Sequence, residues 1–179
     1  MTERFDICVA TKVRTPEERR AFFGTLAAPA SSLIAWPVWT MRVRGSEVVE
    51  SDWNDEPIEV PEGWVVCLYP RVRSSSDGVW LVEIVGTDEI WTLSVPATLL
   101  LTRMNDLLAV MLHAAREGVP CIAGNEYSMA AVRRTGADAM VEAASPFSLA
   151  THAVVSKGIR LRGWAALREE GDRVLVARR

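Results

Sequence analysis

Short stretches of alternating or continuous apolar residues recur along the chain and predict β-strands. Gly, Pro, Ser and Asp residues typical of turns separate these stretches. The predicted strands are 5–13, 38–44, 48–49, 64–72, 79–85, 90–95, 119–123, 152–155, 159–167 and 173–177. Because three of them follow one another across short turns between positions 64 and 95, we expect an antiparallel meander.

Helical patterns interrupt these strands. Thr15 followed by Pro16 is a strong helix start, since a hydroxyl caps the first turn and Pro suits the first helical position. This helix is expected to end near Leu26. A longer helix over 96–117 has its polar residues on one narrow stripe, which predicts that most of its circumference is buried. Two shorter helical pieces are expected within 125–144. The predicted fold class is therefore α+β: a single domain over 1–179, with a largely antiparallel sheet, one long buried helix and two or three shorter helices packed on it.

The composition agrees with a folded domain. Of the 179 residues, 49% are apolar and seven are Trp, which is ample material for a core. Five of the Trp residues lie in apolar stretches and are expected to be buried: Trp36, Trp39, Trp64, Trp80 and Trp91. Trp80 and Trp91, on consecutive strands, are expected to pack as a cross-strand pair.

The termini and cysteines bear on location and cofactors. The first residues lack a signal-peptide pattern, and the apolar run 95–115 contains too many polar groups for a simple membrane span. The three cysteines are far apart and lie in apolar stretches, which indicates reduced, buried thiols and a cytoplasmic protein. His and Cys spacings typical of metal sites do not occur, so we expect no metal and no cofactor.

The charge distribution is strongly uneven. The segment 47–62 holds seven carboxylates and no Lys or Arg, in a chain whose formal net charge is −3. Two prolines in this segment favour an extended loop. Trp53 lies among acidic neighbours and has no obvious apolar face to bury against. An exposed aromatic surrounded by carboxylates is typical of an interface that binds a basic partner. The predicted partner-binding residues are Asp52, Trp53, Asp55, Glu56 and Glu59. The alternative is a solvated loop that only keeps the protein soluble.

A second candidate site lies at the predicted strand-to-helix junction 121–128. Backbone N–H groups at such a junction favour anions, and Glu126 would act there as an acid or base. Cys121 with His113 or His152 would form a thiolate–imidazole pair. The simpler interpretation is that Asn125 caps a helix, Glu126 complements its dipole and the thiol is buried.

These patterns favour a non-enzymatic protein-binding module, with an immunity or antitoxin-like protein from a bacterium as one concrete form. The alternative is a small-molecule enzyme, a transferase or hydrolase, with a pocket near Gly124–Ser128. A subunit of a larger assembly is a third possibility. The isoelectric point of about 5.5 argues against a nucleic-acid partner, and no membrane partner is expected. A homodimer through an edge strand is compatible with each of these functions.

Overall fold

The computed structural model describes residues 3–70, 78–125, 138, 141 and 150–179. These residues contain ten β-strands and two α-helices. The strands are β1 (Arg4–Lys12), β2 (Trp39–Arg44), β3 (Glu47–Asp52), β4 (Val65–Tyr69), β5 (Val79–Val85), β6 (Asp88–Pro96), β7 (Cys121–Asn125), β8 (Ala150–Ser156), β9 (Trp164–Glu170) and β10 (Arg173–Arg178). The helices are α1 (Pro16–Ala27) and α2 (Leu100–Arg116), and single 3-10 turns occupy Ala28–Ala30 and Ala97–Leu99.

All ten strands form one antiparallel sheet in the order β3-β2-β4-β5-β6-β1-β7-β8-β10-β9. The first strand lies near the middle, where it pairs with β6 on one side and β7 on the other. The hairpin of β2 and β3 closes at Gly45–Ser46, and Gly45 adopts a φ of +59°, a conformation that costs glycine little. The two edges of the sheet are β3 and β9.

Both helices pack on one face of the sheet. Phe23 and Leu26 of α1 share the largest buried apolar cluster with Leu107 and Met111 of α2 and with residues of the central strands. The start of α1 follows the predicted signal: Thr15 accepts a hydrogen bond from the Glu18 N–H, and the Glu18 carboxylate accepts one from the Thr15 N–H.

The predicted helix count is wrong for the part of the chain that the structure describes. The fold is mostly a ten-stranded antiparallel sheet with two α-helices, rather than a sheet with one long helix and two or three others. Asn125, expected to cap a helix, instead ends β7, where it pairs with Phe5 of β1. The two helical pieces expected after it fall almost entirely outside the described residues.

The predicted burial of α2 is also too extensive. Buried side chains such as Leu107, Val110 and Met111 form one stripe, whereas Thr102, Ala109 and others are exposed. A helix that packs on a sheet by one face leaves the opposite face to solvent.

The expected cross-strand pair of Trp80 and Trp91 takes a different form. Trp80 lies opposite Leu93 and Trp91 lies opposite Val82, so the two Trp residues are diagonal neighbours. Phe23 contacts both, with ring-centroid distances of 5.6 Å to Trp80 and 5.5 Å to Trp91. The aromatic centre of the core therefore depends on α1 as well as on the sheet.

Candidate functional site: an acidic surface at the β3 edge

The acidic segment is held against the body of the protein by its apolar residues. Trp53, Ile58 and Val60 are buried, with 6%, 3% and 8% of their surface exposed. The predicted partner-binding carboxylates between and beside them are all exposed: Asp52, Asp55, Glu56 and Glu59. Segment 53–60 is therefore anchored to the protein core by its apolar side chains, and its carboxylates face solvent.

The expectation that Trp53 is an exposed aromatic is wrong. Its ring lies 6.0 Å from the ring of Phe23 and 6.0 Å from that of Trp36, centroid to centroid. Its indole N–H donates a hydrogen bond of 3.1 Å to the Glu56 carbonyl. Because α1 supplies the apolar surface that the acidic neighbours in sequence do not, Trp53 fixes the shape of the loop and is not its exposed anchor.

The exposed aromatic at this surface is Trp36, which the sequence pattern placed in the core. Trp36 is 41% exposed and belongs to no strand. Its ring stacks on Trp53 and receives the Arg20 guanidinium at 4.9 Å. The sequence carried one signal of this position, because Trp36 directly precedes Pro37 and Pro often ends regular structure.

A buried ion pair ties the acidic segment to the sheet. Arg19 of α1 is almost fully buried and donates from Nε to a Glu89 carboxylate oxygen at 2.8 Å. The same guanidinium donates to the Ile58 carbonyl at 2.5 Å, and the Ile58 N–H donates to the Pro16 carbonyl at 3.1 Å. The Glu89 carboxylate also accepts hydrogen bonds from Trp91 Nε1 at 2.7 Å and from the Arg14 N–H at 3.1 Å. One arginine thus connects the strand β6, the helix α1 and the acidic segment.

Most of the carboxylates on this surface lack a neutralising partner. Asp55 pairs with Arg20 at 2.5 Å, and Glu47 pairs with Arg44 at 2.7 Å. Within the described residues, the other exposed carboxylates of this region form no ion pair; they are Glu17, Glu50, Asp52, Glu56, Glu59 and Glu62. The surface therefore carries a net negative potential that nearby basic residues do not cancel.

A cleft of about 410 Å³ opens within this surface. Its described lining combines apolar, hydroxyl and acidic residues: Pro16, Glu17, Thr40, Arg42, Ser51, Asp52, Trp53, Glu56, Pro57, Ile58, Glu59, Val66 and Leu68. Four of the five predicted partner-binding residues belong to this lining, and only Asp55 lies outside it. Arg42 is the cation among the described lining residues, and its guanidinium makes no hydrogen bond or ion pair with them. The cleft therefore lies beside the acidic segment, and its lining also includes Thr40, Arg42 and Ser51 of β2 and β3, which the sequence analysis did not name as binding residues.

No hydrogen bond links the alternative catalytic residues in the part of the chain that can be described. Cys121 is 1% exposed, and burial, with a smaller effect of Cys8, raises the pKa of its thiol well above the usual value of 9.0. No hydrogen bond joins it to His113, which lies in α2 and has an unpaired Nε2. Because a protonated, buried thiol is a poor nucleophile, this geometry gives no support to a thiolate–imidazole pair. Glu126 and Ser128 lie outside the described residues.

Two further features of the described residues bear on the kind of site. Among the described residues, no cluster of three or more His, Cys, Asp or Glu side chains has the arrangement of a metal site. Neither described helix has the length and apolar character needed to span a membrane.

Comparison with known proteins adds a similarity of fold. The chain is similar to the Pseudomonas aeruginosa T6SS protein PA0821, with 14% sequence identity and a TM-score of 0.55. The similarity covers 98% of this chain and 68% of the other. No protein-family model and no curated protein matches the chain. At this level of identity, the two proteins are shown to share a fold and nothing more specific.

Proposed function

We propose that this protein is a non-enzymatic binding protein of the immunity or antitoxin type, which neutralises a basic protein partner through the acidic surface at the β3 edge. The observation that carries the proposal is the set of exposed carboxylates on the anchored acidic segment, most of which form no ion pair within the described residues. Asp52, Glu56 and Glu59 surround the cleft, and Trp36 lies close by. The fold similarity to a T6SS protein is compatible with an immunity-like role.

The physical basis of the proposal is long-range attraction followed by anchoring. Uncancelled surface charge speeds encounter with an oppositely charged partner, and steering of this kind raises association rates by about 10- to 1,000-fold at low salt. Because Trp53, Ile58 and Val60 hold the loop in place, binding does not have to order it, which lowers the entropic cost. Trp36 supplies the large, partly exposed aromatic that is typical of energetic anchors in interfaces.

The proposal also keeps the cytoplasm as the expected location. All three cysteines are free thiols and are buried, which suits a reducing compartment.

The test is affinity capture of the tagged protein from its own host's lysate, followed by association kinetics with the captured partner. The variant D52N/E56Q/E59Q removes three charges around the cleft. The matched control D88N/E117Q/D172N removes three exposed carboxylates that likewise form no ion pair within the described residues but belong neither to the acidic segment nor to the lining of the cleft.

We expect the cleft variant to slow association about tenfold at low salt, with little change in dissociation, and the difference to shrink as salt rises. The control variant should bind almost as the parent does. Equal slowing in both variants would show that only the net charge of the protein matters. Unchanged association of the cleft variant would show that the acidic surface does not contact the partner.

A further inference from the structure

The strand β3 forms an edge of the sheet whose outer side is open. It is the first strand in the sheet order, paired only with β2 among the described strands, and all six of its residues are exposed. An edge strand presents unpaired N–H and C=O groups, which form a template for another strand.

The hydrogen bonds between β2 and β3 show which backbone groups face outward. The Trp53 N–H donates to the Val38 carbonyl at 2.9 Å, which continues the antiparallel register of the two strands. Because backbone groups alternate in direction along a strand, Ser51 and Val49 also point their N–H groups toward β2. The outward-facing groups therefore belong to the alternate residues of the strand: Val48, Glu50 and Asp52.

We propose that this edge binds a basic β-strand of the partner, which adds an eleventh strand to the sheet by pairing with the outward groups of β3. This inference rests on the proposed function, whose partner it describes more closely. Main-chain hydrogen bonds would supply affinity, and the uncancelled charge of Glu50 and Asp52 would select a strand rich in Lys or Arg.

Charge also indicates which kind of strand would pair with β3, a second copy of this chain or a basic strand of another protein. A second copy of β3 would place Glu50 and Asp52 near their own equivalents, and like charges on neighbouring strands destabilise pairing. The opposite edge is different, because Glu169 of β9 pairs with Lys157 at 2.8 Å and Arg168 pairs with Glu170 at 2.9 Å. The open, uncancelled edge is thus β3, and a basic strand fits it better than a copy of the chain.

The experiment uses the full chain and a short capped peptide in which Lys alternates with Val. A second peptide replaces each Lys with Glu, and a third keeps Lys but carries N-methyl groups on two adjacent central residues, which blocks strand pairing on both sides. Binding is measured by fluorescence anisotropy, and backbone amide exchange by NMR.

We expect only the unmethylated Lys peptide to bind. On its addition, the Val48, Glu50 and Asp52 amides should exchange at least about tenfold more slowly, whereas Val49 and Ser51 should change little because β2 already protects them. Failure of the Lys peptide to bind, or exchange that changes without this alternation, would overturn the proposal.

A substitution separates this inference from the electrostatic one. V48P removes an outward N–H without changing charge, and Pro is tolerated where the N–H of an edge strand faces solvent. V48A is the matched control. We expect V48P to weaken binding of the Lys peptide at least about tenfold while V48A retains it, because strand addition needs the outward N–H groups.

The outcomes for the two proposals differ. Strand addition is wrong if V48P binds the Lys peptide as well as the parent protein does and the methylated peptide binds as well as the unmethylated one. If D52N/E56Q/E59Q nevertheless binds the Lys peptide weakly, the acidic surface remains the binding site. If the Glu peptide binds as tightly as the Lys peptide, the electrostatic part of the proposed function fails as well.

Discussion

Replacing Arg19 should be among the most damaging single changes to this protein. The substitution R19M keeps the apolar stem and removes a guanidinium that donates to the Glu89 carboxylate, to the Ile58 carbonyl and to the Arg14 carbonyl. Glu89 has 0% of its surface exposed. In R19M its carboxylate would still accept hydrogen bonds from Trp91 Nε1 and from the Arg14 N–H. The Arg14 guanidinium would remain 3.6 Å away.

The magnitude follows from the burial of the group left behind. Removing one partner of a buried ion pair costs about 3–5 kcal/mol, because the remaining charge is desolvated without compensation. In a chain of this size, each kcal/mol lowers the melting temperature by about 2–4 °C, so the expected decrease is about 6–20 °C. The same change frees the Ile58 carbonyl, so hydrogen exchange in segment 53–60 should accelerate.

The neighbouring Arg20 is the matched control. It lies on the same helix, but its partner Asp55 is half exposed, so R20M should cost no more than about 1 kcal/mol. The double variant R19M/E89Q removes the stranded charge and should be more stable than the sum of the single changes predicts, by about 1–3 kcal/mol.

Urea or thermal unfolding with circular dichroism provides the measurement. A cost below about 1 kcal/mol for R19M, or additive effects of R19M and E89Q, would refute the reasoning that the buried pair holds α1, β6 and the acidic segment together.

Other predictions test individual residues. Cys121 should resist a thiol-reactive reagent at neutral pH in the folded protein and react fully in urea, since burial raises its pKa; rapid labelling of the native protein, assigned by mass spectrometry, would contradict this. Burial lowers the pKa of His152 below 6.5, so below about pH 6.5 the unfolded chain binds more protons at this residue than the folded protein does. As pH falls through this range, the free energy of unfolding should therefore decrease more steeply in the parent than in H152Q. W36A should raise the dissociation rate of the captured partner, as expected for an interface anchor, and an unchanged rate would exclude that role. R42Q removes a cation from the cleft and should tighten binding of a basic partner measured by titration, opposite in sign to the acidic variants; weaker binding would assign Arg42 a direct contact.

Local signals along the chain predicted the positions of the strands well, although not the number of helices. Each of the ten predicted strands overlaps a strand of the sheet, because alternation of apolar and polar residues is a property of the strand itself. The largest shift concerns β9, expected over 159–167 and found at Trp164–Glu170. Ile159 and Leu161 alternate as strand residues do, but they pack from outside the sheet against the cluster that contains Val155 and Trp164.

The order of the strands required information that no local pattern contains. The pairing of β1 with β6 and with β7 joins residues such as Ile7, Leu93 and Ala123, which are distant in sequence. Apolar composition indicates which strands are buried on at least one face, but not which neighbours cover them, and it does not hold for β3, whose six residues are all exposed. The same limit affects the helices, because a strand that continues through Asn125 and a helix that begins there share similar local signals.

The error at Trp53 changes the physical interpretation of the acidic segment. Its sequence neighbours are carboxylates, so composition alone made it an exposed anchor, yet Phe23 and Trp36 bring an apolar surface to it from other parts of the chain. A flexible acidic loop would lose conformational entropy on binding and would spread its charge over many positions. With Trp53 buried and its N–H bonded to the Glu56 carbonyl, the carboxylates instead occupy fixed positions beside the open β3 edge. In the proposed complex, a partner strand would therefore be selected by register as well as by charge, because the outward backbone groups of β3 and the carboxylates occupy fixed positions relative to one another.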